Sequence, residues 1–104
     1  MTNTYTTLHS MRKGIVRVEL SHVGEGHNGD YNPKDENDER LLRFSVLQKI
    51  DGRWEEVRDS SYCSNLPFTA PQERIDAFLA HIMEKVYQPI TEGKSVKRIC
   101  EGLT

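Results

Sequence analysis

The clearest pattern of apolar positions lies near the C-terminus, between residues 70 and 88. Side chains three or four positions apart share one face of an α-helix, so this spacing predicts an amphipathic helix with one buried stripe. Thr69 is the expected N-cap, and Pro89 is expected to end the helix. The stripe consists of Ile75, Phe78, Leu79, Ile82 and Val86.

Two earlier stretches, residues 14–23 and residues 40–50, alternate apolar and polar side chains. An alternation with a period of two is typical of a strand that buries one face. In the first stretch the inward positions are Val16, Val18 and Leu20. In the second they are Leu42, Phe44, Val46 and Ile50.

The dipeptide Asp51-Gly52 follows the second stretch, and Asp-Gly favours the tight turn of a β-hairpin. Residues 53–59 are therefore expected to return as a third strand, which residues 60–66 extend until Pro67 ends it. Residues 1–12 are polar and threonine-rich, and are expected to form either a loosely ordered terminus or a short additional strand.

A second, shorter helix is expected after Gly93, with Ser95 as its cap and Gly102 at its end. Its apolar side contains Val96, Ile99, Cys100 and Leu103. The predicted architecture is a two-layer α+β fold that forms one domain over residues 1–104. A three-stranded, or with the N-terminus four-stranded, antiparallel meander precedes one long and one short helix, which pack on one sheet face.

Length and composition narrow the functional classes. The chain has 104 residues and a net charge of −2, with 14 basic and 16 acidic side chains. One small core is all that such a chain can build, which excludes a two-domain enzyme with a deep cleft. Two cysteines are too few for a disulfide scaffold, and residues 1–10 lack a signal-peptide pattern, so we expect a cytoplasmic protein with free thiols. No apolar run approaches the length of a membrane span.

Residues 24–39 contain no aliphatic side chain and have a net charge of −5. Loops of this length inside a small domain are often functional or disordered. The segment is open to three interpretations: a solvated loop, an acidic docking surface for a protein partner, or a calcium site. An EF-hand is not matched, because Lys34 stands at the fifth position from Asp30, where a ligand is needed. The expected contact residues are Asp30, Tyr31, Asp35, Asp38 and Glu39.

Catalytic and metal motifs are not expected. His22 and His27 have a spacing that zinc sites use, but Cys63 and Cys100 lie alone and far apart. No thiol-enzyme signature surrounds Cys63, and Cys100 is expected in the core. We therefore expect no cofactor and no enzymatic activity.

The expected function is that of a small regulatory or adaptor-type protein acting through protein–protein contacts, with a homodimer left open. The alternative is nucleic-acid binding through the exposed face of the sheet. The predicted strand segments have a basic excess, and Arg17, Arg43 and Arg58 are the residues that would contact phosphates. We rank nucleic-acid binding below protein–protein contacts, because the acidic loop would repel phosphates.

Overall fold

The computed structural model describes residues 5–23, 41–67 and 69–103. The described elements are five strands followed by two helices. They are β1 (Tyr5–Lys13), β2 (Val16–Val23), β3 (Leu41–Ile50), β4 (Arg53–Glu56), β5 (Tyr62–Pro67), α1 (Gln72–Thr91) and α2 (Lys97–Glu101). The predicted α+β class, with an antiparallel sheet before one long and one short helix, is confirmed.

Residues 5–13 form an edge strand, which is the additional strand that the threonine-rich segment allowed. β1 pairs antiparallel with β2, from Tyr5 opposite Val23 to Lys13 opposite Val16. The connecting turn needs Gly14, whose φ of 56° lies in the left-handed region. An irregularity between Thr7 and His9 places two residues of β1 against one step of β2. β1 therefore adds a strand of nine residues to the three that the rest of the chain predicted.

The third predicted strand is in fact two strands. β4 pairs with Leu47–Ile50 across the expected Asp51-Gly52 turn, and β5 pairs with the other half of β3, at Leu41–Phe44. The buried hydroxyl of Ser60 lies at the break between them. It accepts a hydrogen bond from Val46 N (3.3 Å) and lies 2.7 Å from the Val57 carbonyl oxygen. This serine satisfies backbone groups that a continuous ladder would otherwise pair.

The core lies between one face of the sheet and α1. Val16, Val18 and Leu20 of β2 and Leu42, Phe44 and Val46 of β3 are fully buried, as the alternation predicted. From the helical stripe, Ile75, Leu79, Ile82 and Val86 are buried against them. Phe78 is only partly buried, and its ring meets that of Phe44 edge-on at 5.9 Å between centroids. Ile50 was expected inside but is 43% exposed at the hairpin tip.

The ends of α1 differ from the prediction. Pro71 occupies the N-cap in an extended conformation, so Thr69 is not the cap. The helix also continues through Pro89 to Thr91. Proline removes only one helical N–H near the last turn, and burial of Ile90 keeps that turn on the core.

A Schellman motif ends α1, so Gly93 closes this helix. Lys94 N donates to Pro89 O (2.8 Å), and Gly93 N donates to Ile90 O (3.0 Å). Gly93 has the required positive φ of 74°. In α2, which follows, Cys100 is buried as predicted.

The two faces of β3 predict two different mutational outcomes. Phe44→Ala should lower the free energy of unfolding by about 3–5 kcal/mol, because it leaves a cavity under α1. Leu47→Ala, on the opposite face of the same strand, should lower it by about 1 kcal/mol or less. Urea unfolding followed by circular dichroism measures both. Equal losses for the two variants would contradict the assignment of faces.

Candidate functional site

The face of the sheet opposite α1 has no described element over it and is the candidate site, here called the open face. Because side chains alternate along a strand, residues that neighbour the core positions point to this face. On β2 and β3 they form directly opposed pairs, with Arg17 beside Leu47, Glu19 beside Ser45 and Ser21 beside Arg43. The face is therefore built by the same alternation that builds the core.

Trp54 lies at the centre of a cluster of charged side chains on this face. The guanidinium carbon of Arg12 is 5.2 Å from the Trp54 ring centroid, and that of Arg17 is 5.8 Å from it. Both distances are within cation–π range. Arg17 also forms an ion pair with Glu19 at 2.9 Å. We call these four residues the tryptophan cluster.

Two contacts within the cluster limit the freedom of its side chains. The Glu19 side chain is only 15% exposed, and it accepts a hydrogen bond from Thr7 Oγ1 at 3.5 Å. Arg12 Nε donates to Gly14 O at 3.1 Å, so its guanidinium is tied to the β1–β2 turn. The two arginines are therefore held in place by contacts of their own. Side chains that are ordered before binding lose less conformational entropy when a partner docks.

A polar depression of about 390 Å³ adjoins the cluster on the same face. Arg43 is fixed at its edge, with Nε donating to Ser61 Oγ (2.9 Å) and a terminal nitrogen donating to Ser61 O (3.0 Å). The depression is lined by Thr7, Glu19, Ser21, Arg43, Ser45, Glu56 and Ser61. Hydroxyl groups here supply both donors and acceptors, which suits a polar surface more than an apolar ligand.

The charge of the open face is opposite to that of residues 24–39. Strand alternation and register place four cationic side chains and two carboxylates on it, an excess of two positive charges. These are Arg12, Arg17, Arg43 and Lys49, with Glu19 and Glu56. The face can therefore attract an anionic partner, although its cations are partly compensated.

The structure describes the predicted arginines but not the predicted residues of the acidic segment. Asp30, Tyr31, Asp35, Asp38 and Glu39 lie outside the described residues. Of the three arginines expected to contact nucleic acid, Arg17 and Arg43 both lie on the open face. Arg58 is in the turn between β4 and β5, where its side chain is 96% exposed and its Nε is 3.8 Å from Asp59.

Arg12 and Trp54 are the site residues that the sequence analysis missed. Arg12 lies directly opposite Arg17 across the Gly14 turn, so interpreting residues 5–13 as a strand would have located it. Trp54 lies opposite Lys49 in the Asp51-Gly52 hairpin, and that register assigns it to the open face.

Other chemistry is limited in the described part of the chain. There, no group of three or more His, Cys, Asp or Glu side chains could hold a metal ion. Neither described helix is both long and apolar enough to span a membrane.

The two cysteines lie in different environments. Cys63 is exposed and Cys100 is buried, and both are free thiols. Burial raises the pKa of the Cys100 thiol to about 11, so it stays protonated at neutral pH.

Comparison with known protein families, curated proteins and solved structures finds no significant match to this chain.

We expect the two cysteines to differ in their reaction with a thiol reagent and in their effect on stability at high pH. A thiol reagent at pH 8 should modify Cys63 rapidly and Cys100 only when the chain unfolds.

Because the pKa of the Cys100 thiol is raised in the folded chain, the unfolded chain loses the thiol proton at a lower pH than the folded chain does. Stability should therefore fall between about pH 9 and 11. Cys100→Ala should weaken this fall in urea unfolding at pH 8 and 10. An identical pH dependence in both proteins would contradict the assignment.

Proposed function

We propose that this chain is a small, non-catalytic regulatory or adaptor-type module that acts through contacts with another protein. The observation that carries the proposal is the tryptophan cluster, because Trp54 lies against two arginines on the sheet face away from α1. Tryptophan and arginine are the residues that most often dominate binding energy at protein interfaces. These side chains lie outside the core, so packing of the fold does not account for them.

The chemistry of the open face also defines the partner. Its excess of positive charge favours a surface that presents carboxylates, and the Trp54 ring supplies apolar area for a side chain between them. Because Arg17 is already paired with Glu19, a partner carboxylate would compete with that pair. Arg12 forms no ion pair with a described carboxylate, and its guanidinium lies by the Trp54 ring and donates to the Gly14 carbonyl, so it is the better anchor.

The acidic segment is a second contact region in this proposal, supported by sequence alone. Its expected contact residues are Asp30, Tyr31, Asp35, Asp38 and Glu39. The segment joins β2 to β3, and the paired residues nearest to it, Ser21 and Arg43, both line the polar depression. As part of the same proposal we assign the protein to the reducing cytoplasm, which suits the exposed, unpaired thiol of Cys63.

Binding of single-stranded nucleic acid is the second candidate. The supporting observation is that Arg17, Arg43 and Lys49 share one sheet face with an aromatic side chain. Positive grooves with aromatic platforms are typical of sequence-tolerant binding to single strands. It ranks second because Glu19 and Glu56 lie on the same face, where their carboxylates would repel phosphates.

Substitutions in the tryptophan cluster should weaken partner capture. We expect Trp54→Ala and Arg12→Ala each to reduce binding at least tenfold, a typical effect of removing an interface anchor. Arg53→Ala is the matched control, because Arg53 is also exposed but alternates with Trp54 along β4 and so points to the other face. The measurement is capture from nuclease-treated native lysate, followed by affinity titration of the captured protein.

Two results would count against the protein-contact proposal. One is unchanged capture by a Trp54→Ala variant whose circular dichroism matches that of the original chain. The other is loss of all capture on nuclease treatment.

A separate variant tests the acidic segment. In it, the four acids at positions 30, 35, 38 and 39 are changed to amides together with Tyr31→Ala. Unchanged capture by this variant would remove only the acidic segment from the proposal.

A gel shift with single-stranded DNA tests the second candidate. If three or four phosphates are neutralised, log K should fall with log salt with a slope of about −2 to −3. The absence of any shift at 50 mM salt would exclude the candidate.

A further inference from the structure

The first strand has a free backbone edge. Among the described strands β1 pairs only with β2, so its other edge presents N–H and C=O groups without a strand partner. From His9 to Lys13 the register with β2 is continuous, because the irregularity lies before His9. A regular, unpaired edge is a template on which another extended chain can add.

A groove runs between this edge and α1, which packs over β1 and β2. Its volume is about 390 Å³. The helical residues in it are spaced as i, i+3, i+4, i+7 and i+8, so they form one face. Met11 and Met83 supply its apolar side, and methionines adapt readily to side chains of different shape. The groove is lined by Met11, Lys13, Ala80, Met83, Glu84, Tyr87 and Gln88.

A positive charge is held at one end of the groove. Lys13 Nζ lies 4.3 Å from the centroid of the Tyr87 ring. None of the described carboxylates forms an ion pair with Lys13. The ammonium group therefore lies over the tyrosine ring without a described ion-pair partner, although Glu84 also lines the groove. A carboxylate brought into the groove could pair with it.

We infer that this groove binds an extended, acidic segment of a partner protein, which adds to the β1 edge as a further strand. One apolar side chain of the segment packs between Met11 and Met83, and a carboxylate two residues away on the same face pairs with Lys13. The backbone ladder supplies affinity, and the groove supplies selectivity for this spacing.

Charge argues against the pairing of two β1 strands from two copies of the chain. β1 contains Arg12, Lys13 and His9 but no Asp or Glu. Pairing two β1 strands would bring together two basic edges without a carboxylate from either strand. An acidic segment complements the same edge.

This inference is independent of the open-face proposal. Met11 and Lys13 lie opposite the inward-facing Val18 and Val16, whereas Arg12 lies opposite Arg17 on the open face. Loss of binding in a groove variant and loss of binding in Trp54→Ala therefore report on different surfaces.

The test starts from a display library of random eight-residue peptides screened against the whole chain. Enriched peptides are synthesised, and their binding is measured by fluorescence anisotropy. We expect a shared apolar residue and an acidic residue at alternate positions. On binding, hydrogen exchange should slow at edge amides between His9 and Lys13. N-methylation of alternate peptide amides should abolish binding, because it removes the ladder donors.

Matched variants locate the site. Ala80→Arg fills the groove and should weaken peptide binding at least tenfold, whereas Ala77→Arg, on an exposed position of the same helix outside the groove, should not. Lys13→Glu should weaken it to a similar extent, and Lys85→Glu, which is exposed on α1 outside the groove, should have no effect. Circular dichroism establishes that each variant folds.

Several outcomes would overturn the inference. They are no enriched peptide, peptides that bind Ala80→Arg as well as the original chain, and binding that survives N-methylation. Exchange changes that map to Trp54 instead of β1 would also overturn it. A final contrary outcome is a dimer of the chain without peptide, seen by light scattering, that the Ala80→Arg variant does not form. A second copy of the chain would then occupy the edge.

Discussion

The contact between the apolar stripe of α1 and one face of the β2–β3 pair is the interaction on which the rest of the structure depends. Ile75, Leu79, Ile82 and Val86 bury the inward side chains of both strands, and burial of apolar area is the main favourable term in folding. A chain of this size can build one such core. Since one long helix covers one face, the opposite face is left for polar, charged and aromatic side chains.

The two proposed surfaces follow from this arrangement. On the open face, strand alternation brings Arg12, Arg17 and Trp54 together although they come from three strands. On the covered side, α1 lies over β1 and β2 and leaves a groove along the free edge of β1. The open face has an excess of positive charge and the groove contains Lys13 together with Glu84, whereas residues 24–39 are strongly acidic. The charge of the chain is thus separated by region although the net value is only −2.

The sequence predicted the parts of the fold that depend on periodicity or on turn chemistry. Three inward positions on each of β2 and β3, four of the five stripe residues of α1 and the Asp51-Gly52 turn were identified correctly, whereas Ile50 is exposed and Phe78 is only partly buried. β1 was uncertain because an edge strand of mostly polar residues shows little alternation. The break at Ser60 depends on one buried hydroxyl, and the passage of α1 through Pro89 depends on burial of Ile90, so neither has a local signal. The sequence predicted an exposed sheet face. It did not place Arg12 and Trp54 there, because their positions depend on the register between strands.

Native-state hydrogen exchange measures the central contact most directly. If the packing of α1 on the sheet holds the fold together, amides of β2, β3 and the middle of α1 should exchange only through global unfolding, with the same free energy of opening. Amides at the open ends of the hairpins should exchange at lower free energy. Exchange of the α1 amides several kcal/mol below that of β2 and β3 would contradict the account, because the sheet would then persist without its helix.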